Sequence, residues 1–146
     1  MAVGYIIRDC NGTLIRARGK QTSMSPINYA ELIAAWWGMF VAVVELHSYD
    51  IYLKGDSLYA MSLISNQSIT KKLEYPVLLD ILHWKNCCRN FKTSHIYREA
   101  NRAADFIAKK ALQGDLYLNI NDIIMFDDLN TILQEDRRGR VVKRRR

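Results

Sequence analysis

The sequence predicts an α/β domain in which a mixed sheet is flanked by helices on both faces. A hairpin comes first, because residues 4–8 and 13–18 are predicted as strands joined at Asn11-Gly12, a dipeptide that tolerates positive φ in a two-residue turn. Helical and strand patterns then alternate, which is typical of β-α-β crossovers between parallel strands. The sheet is therefore expected to be antiparallel at one edge and parallel beyond it.

The remaining elements follow from hydrophobic periodicity and from glycine and proline positions. Residues 29–47 place apolar side chains on one helical stripe, and Pro76 fits the first turn of a later helix. The element order is β-β-α-β-α-α-β-α, with residues 116–133 undecided. The other predicted elements are strands at residues 50–54 and 91–98 and helices at residues 57–64 and 101–114.

Length and composition predict one domain at residues 1–136, followed by a disordered basic tail at residues 137–146. The 146 residues are 49% hydrophobic, which is enough to bury a core. No apolar run approaches the roughly 18 residues of a membrane helix, so we expect no membrane partner. The three cysteines have no C-x-x-C spacing, which argues against zinc and disulfides. We expect a monomer in a reducing compartment, the nucleus or cytoplasm.

The positive charge of the chain is concentrated at its end. Residues 137–146 hold seven of the 21 basic side chains and no acid. The rest of the chain then has 14 basic and 15 acidic residues, which gives it a net charge of −1. A cationic tail on a nearly neutral body predicts binding to a polyanion such as nucleic acid, or a nuclear-localisation signal.

Three acids stand at the ends of predicted elements, where side chains from separate segments can converge. Glu31 is predicted in the first turn of the long helix, Asp56 follows a strand, and Asp105 is predicted in the first turns of the last helix. Carboxylates brought together in this way suit Mg²⁺, a hard ion that takes oxygen ligands and retains waters. Two such ions could activate a water and stabilise the leaving oxygen of a phosphodiester.

Each of these acids also has a purely structural explanation. Glu31 follows Asn28 by three residues, as in a capping box, and Asp56 could cap the helix that follows it. Asp105 could pair with Lys109 one helical turn later. Spacing by itself leaves both the structural and the functional interpretations open.

The motifs around these acids resemble the ribonuclease H domains of plant retroelement type. The matching segments are residues 4–12 (GYIIRDCNG), Ala30-Glu31-Leu32, Gly55-Asp56-Ser57 and residues 95–105 (HIYREANRAAD), in the order and at the spacing of that family. The last segment is the most specific. The resemblance extends from residue 3 to residue 114.

The resemblance implies a ribonuclease H-like fold, a mixed five-stranded sheet flanked by helices. It also implies an endonuclease that uses two Mg²⁺ (or Mn²⁺) ions to cleave the RNA strand of an RNA–DNA hybrid. Glu31, Asp56 and Asp105 match the second, third and fourth members of the family's D-E-D-D set of metal ligands. His95 has the spacing to Asp105 of the proton-shuttling histidine in bacterial relatives, although it lies at the end of a strand.

The resemblance also points to residues that would contact the hybrid. Asn101 matches a family position near the nucleic acid, and it could also be the N-cap of the last helix. Arg98 and Arg102 could contact phosphate, or they could belong to a solvated face.

The sequence departs from the family in one respect. The family's first aspartate lies on the first strand, which is central to the sheet, and neither has a match among these residues. We therefore expect an N-terminally truncated domain that lacks this central strand and cleaves weakly or not at all. The alternatives are a non-catalytic nucleic-acid-binding module and a decayed retroelement fragment.

Overall fold

A computed structural model describes residues 2–21, 27–65, 76–97, 101–119 and 127–137. Its contacts divide the chain into two compact units: unit 1 comprises Met1–Met24 and Tyr97–Arg146, and unit 2 comprises Ser25–Ile96. Residues 138–146, which hold most of the predicted tail, lie outside the described residues.

The described elements follow the predicted order and add two at the end. The strands are β1 (Ala2–Arg8), β2 (Leu14–Gln21), β3 (Asp50–Gly55), β4 (Asn90–His95) and β5 (Leu116–Asn119). The helices are α1 (Ile27–Met39), α2 (Leu58–Ser65), α3 (Pro76–Cys87), α4 (Arg102–Ala111) and α5 (Asp127–Arg137), with a π-helical segment at Phe40–Glu45. The undecided stretch thus contains β5 and the start of α5.

Unit 1 contains a three-stranded antiparallel sheet in the order β1-β2-β5. The β1–β2 turn spans residues 9–13, so the predicted two-residue turn at Asn11-Gly12 is wrong. Its geometry comes from Asp9, whose carboxylate accepts hydrogen bonds from the backbone amides of Asn11 and Thr13, both at 2.9 Å. Gly12 has a φ of 80°, a conformation that costs glycine little.

Helix α4 packs directly on the backbone of the hairpin at two glycines. A Cβ atom added to Gly4 would lie 2.8 Å from the backbone nitrogen of Ala108. One added to Gly19 would lie 2.7 Å from the backbone oxygen of Ile107 and 2.8 Å from Cβ of Ala111. No side chain therefore fits at either position without moving the helix.

The core of unit 1 lies around α4 and extends to α5. Six fully buried residues form one cluster: Leu14, Ala17, Ala103, Ile107, Leu129 and Leu133. Two of them, Leu129 and Leu133, lie on α5, where their four-residue spacing aligns them on one face of the helix. Helix α5 therefore has an apolar anchor in this unit.

Unit 2 contains two parallel strands, β3 and β4, connected through α2 and α3. Its core joins α1, the π-helical segment, α2 and α3 around side chains such as Leu32, Met39, Ile64, Leu78 and Ile81. Among the described residues, β3 pairs only with β4, and β1 pairs only with β2.

The predicted helix at residues 29–47 begins earlier and changes type before it ends. It starts at Ile27 and becomes a π-helix at Phe40, where the amide of Leu46 donates to the carbonyl of Val41 at 2.9 Å. The wider turn buries consecutive residues of Phe40–Glu45, which a 3.6-residue period does not do. His47 follows with a φ of 52°, and this left-handed residue ends the helical segment.

None of the described helices is long and apolar enough to cross a bilayer.

The glycine contacts make a testable prediction. Replacing Gly19 with Ala should lower the free energy of unfolding by about 1–3 kcal/mol, because the added methyl group meets the backbone of α4. This loss should outweigh the roughly 0.4–1 kcal/mol that Gly→Ala gains from a less flexible unfolded chain. Urea unfolding measures the difference.

Gly55→Ala is the matched control, because its added methyl group meets only the flexible side chain of Met61, at 2.9 Å from Cε. The loss should be smaller in this variant. A Gly19→Ala protein as stable as the wild type would contradict the proposed close packing of α4.

Candidate active site

The carboxyl ends of β3 and β4 bring two of the predicted site residues together. The strands are parallel and in register, so Gly55 is paired with His95, and Asp56 follows directly. The His95 ring donates from Nε2 to the backbone oxygen of Asp56 at 3.2 Å, so this nitrogen carries a proton. This end of a parallel sheet is where ligands bind in open α/β folds.

The segment Gly55-Asp56-Ser57 leads from β3 into α2, and Ser57 caps the helix. Its Oγ accepts a hydrogen bond from the amide of Ala60 at 3.1 Å. The suggestion that Asp56 provides this cap is therefore wrong, since the serine lies at the N-cap position. The half-buried carboxylate of Asp56 makes no hydrogen bond or ion pair with the described residues.

Glu31 also belongs to unit 2. It lies in the second turn of α1, between Ala30 and Leu32, which are buried, and its own side chain is half-buried. The helix starts at Ile27, so Asn28 is inside it rather than at its N-cap. The capping-box explanation for Glu31 is therefore wrong.

Asp105 lies in the first turn of α4, in unit 1, and forms the predicted ion pair with Lys109. The distance from Oδ2 to Nζ is 3.0 Å, and the lysine side chain is 71% exposed. An ion pair this exposed contributes at most about 1 kcal/mol, so Asp105 can exchange Lys109 for another cation.

Asn101 occupies the N-cap position of α4, but its side chain makes no capping hydrogen bond. Its predicted position is confirmed, and its predicted capping bond is not formed. The side-chain amide of Asn101 therefore does not cap α4 in this structure.

Arg102 forms an ion pair with Glu135 of α5, and both side chains are mostly buried, at 33% and 23% exposure. A phosphate contact by Arg102 would have to replace this pair. No sequence motif singles out Glu135, because its contact with Arg102 joins residues 33 positions apart. Arg98 lies outside the described residues.

The candidate ligands have oxygen donors of the kind that Mg²⁺ prefers. Within the described parts of the chain, no group of three or more His, Cys, Asp or Glu residues lies close enough together to hold a metal ion. Glu31 and Asp56 lie in unit 2 and Asp105 lies in unit 1.

Comparisons with known proteins agree on the fold. A family model described as "reverse transcriptase-like" matches residues 2–111. The crystal structure of RNase H1 from the halophilic archaeon Halobacterium salinarum NRC-1 is similar with a TM-score of 0.68 and 22% sequence identity, covering 77% of this chain and 85% of that one. A search of curated proteins finds no match. The predicted ribonuclease H-like α/β fold is therefore confirmed.

The geometry separates the structural role of Ser57 from the role of Asp56. Ser57→Ala should lower the free energy of unfolding by about 1 kcal/mol, because it removes the acceptor for the first turn of α2. Asp56→Asn should change it by less than about 0.5 kcal/mol, because the carboxylate has no partner among the described residues. Urea unfolding of both variants tests this, and equal losses would give Asp56 a structural role.

Proposed function

The chain belongs to the reverse transcriptase-like family, and from this membership we propose that it is a nucleic-acid-handling domain that binds RNA–DNA hybrids. The proposal rests most directly on Asp56. This acid lies at the carboxyl end of a parallel strand pair, half-buried, and no described residue neutralises it. A carboxylate in this position has its oxygens available to bind a cation.

Glu31, Asp56 and Asp105 are proposed as the cation ligands of this domain. RNase H-like proteins generally depend on divalent metals. Cations held by these carboxylates would activate a water molecule and stabilise the oxygen that leaves the phosphodiester. In unit 1, Asp105 would exchange Lys109 for a cation, and in unit 2, His95 would remain held through Nε2 at the backbone of Asp56.

Hybrid binding is proposed to come mainly from backbone phosphate contacts. The tail at residues 137–146 carries seven basic side chains, whereas the rest of the chain is close to neutral. Arg102 would contribute only if a phosphate replaced Glu135, because the guanidinium is already in an ion pair. The binding should therefore be independent of base sequence.

A second function, a non-catalytic binding module, is favoured by one observation on the sequence. Three of the four family carboxylates have matches among residues 1–146, and the first aspartate, which bridges both ions in the family, does not. Two cations held close without a bridging carboxylate repel each other. Binding without efficient cleavage is the behaviour expected of residues 1–146 by themselves.

The contribution of the basic tail can be measured from the salt dependence of hybrid binding. Each phosphate neutralised contributes about −0.9 to the slope of log K against log salt on B-form duplexes, so the seven tail charges set a limit of about −6. Deleting residues 137–146 should remove most of the slope. An unchanged slope would instead place binding on residues 85–110, where the sequence has seven basic residues and two acidic ones.

The proposed role of Asp56 in cation binding is tested by measuring hybrid binding with and without Mg²⁺. Mg²⁺ should strengthen binding of a labelled hybrid to the wild type, because it reduces the electrostatic repulsion between the Asp56 carboxylate and the phosphates of the hybrid. Asp56→Asn should bind at least as well without Mg²⁺ and gain less when it is added. Asp50→Asn is the matched control, since it removes the same charge from the other end of β3, where Arg89 pairs with it at 3.0 Å.

The same samples are assayed for hybrid cleavage, which is expected at or below detection. A longer polypeptide that adds a family-type strand with its aspartate ahead of residue 2 should cleave, and Glu31→Gln or Asp56→Asn should abolish that activity. Robust Mg²⁺-dependent cleavage by residues 1–146, lost in Asp56→Asn, would refute the requirement for the fourth carboxylate. An equal Mg²⁺ response of wild type and Asp56→Asn would refute the proposed site.

A further inference from the structure

The two strands of unit 2 have one face on the core and one face exposed. Successive side chains on a strand point to opposite faces. Ile51, Leu53 and Phe91 pack against the core of the unit. The alternate residues on β3 and β4 therefore lie on the other face, and they are Asp50, Tyr52, Lys54, Asn90, Lys92 and Ser94.

A tyrosine and two lysines dominate the carboxyl half of this exposed face. Tyr52 is 58% exposed and is paired in register with Lys92 on the neighbouring strand. The ammonium of Lys54 lies 4.8 Å from the centroid of the Tyr52 ring. An aromatic ring left this exposed on a sheet surface is available to stack on a planar partner.

The charge on this face is positive. Its one acid, Asp50, lies at the opposite end of β3, where Arg89 pairs with it at 3.0 Å and the Asn90 side chain donates to it at 2.7 Å. Lys54 and Lys92 have no carboxylate within ion-pair distance among the described residues. The face therefore combines one exposed ring with two cations that no acid neutralises.

We propose that this face, defined by Tyr52, Lys54 and Lys92, binds a single strand of nucleic acid. An unpaired base would stack on the Tyr52 ring, and the two ammonium groups would contact the phosphates on either side of it. A duplex hides the faces of its bases, so it could use only the lysines. This surface does not include the carboxylates of the proposed hybrid site and does not depend on that proposal.

The two parts of the face have different experimental signatures. Stacking is insensitive to salt, so removing the ring should weaken binding by the same factor at every salt concentration. Phosphate contacts release counterions, so removing the lysines should reduce the slope of log K against log salt. The basic tail contributes equally to every variant of the full chain and does not obscure these differences.

The test is fluorescence anisotropy of a labelled oligodeoxythymidine with the full chain at several salt concentrations. Tyr52→Leu should weaken binding about tenfold with an unchanged slope, and Tyr52→Phe, which keeps the ring, should bind like the wild type. The Lys54→Gln/Lys92→Gln double variant should reduce the magnitude of the slope by about 1.4. Lys20→Gln is the control, because Lys20 lies on β2 in unit 1, and it should change neither quantity.

Two results would overturn the proposal. One is wild-type affinity in Tyr52→Leu. The other is an equal loss of affinity by Tyr52→Leu for blunt duplex DNA, which would show that no base stacks on the ring. Thermal unfolding checks the fold of each variant. If Tyr52→Leu is unstable, the salt slope of the Lys54→Gln/Lys92→Gln double variant tests the surface instead. Hybrid binding of Tyr52→Leu measured in parallel should change little, so failure of this proposal is distinct from failure of the hybrid site.

Discussion

The close contact between α4 and the β1–β2 hairpin is the constraint on which unit 1 depends. The helix backbone approaches Gly4 and Gly19 so closely that a methyl group would lie 2.8 and 2.7 Å from its atoms. Such an approach fixes both the distance and the rotation of the helix, because the interior has no slack to absorb a shift. It thereby fixes where α4 presents Asp105 and Arg102. The same helix forms the surface on which Leu129 and Leu133 of α5 are buried.

Charge is distributed differently in the two units. In unit 1, Asp105 pairs with Lys109 and Arg102 pairs with Glu135, so each candidate group has an internal partner. In unit 2, Asp56 is half-buried and has no such partner among the described residues. The exposed pair of Asp105 costs little to exchange, whereas the Arg102 pair is better shielded from water and harder to replace. Asp56 is therefore more ready than Asp105 to bind a cation, and Arg102 would bind a phosphate only at the cost of its pair with Glu135.

The parallel pairing of β3 and β4 places two chemically different surfaces in one small unit. The in-register strands end together, which puts Asp56 beside His95 at the carboxyl edge. The same pairing aligns Tyr52 with Lys92 on the exposed face. The Asp56 carboxylate at the edge suits a cation, and the basic aromatic face is the one proposed to bind an unpaired strand. A domain with both could hold a hybrid and a flanking single strand by different means.

The sequence determined the features that depend on neighbours along the chain. Element order and the ribonuclease H-like α/β fold were predictable because hydrophobic period and short motifs are local, as was the i,i+4 pair of Asp105 and Lys109. Tertiary structure decided the rest. The helix becomes π-helical at Phe40, which the regular period of residues 29–47 does not indicate. Glu135 reaches Arg102, and Tyr52 is left exposed, only because distant segments pack as they do, which no local pattern encodes.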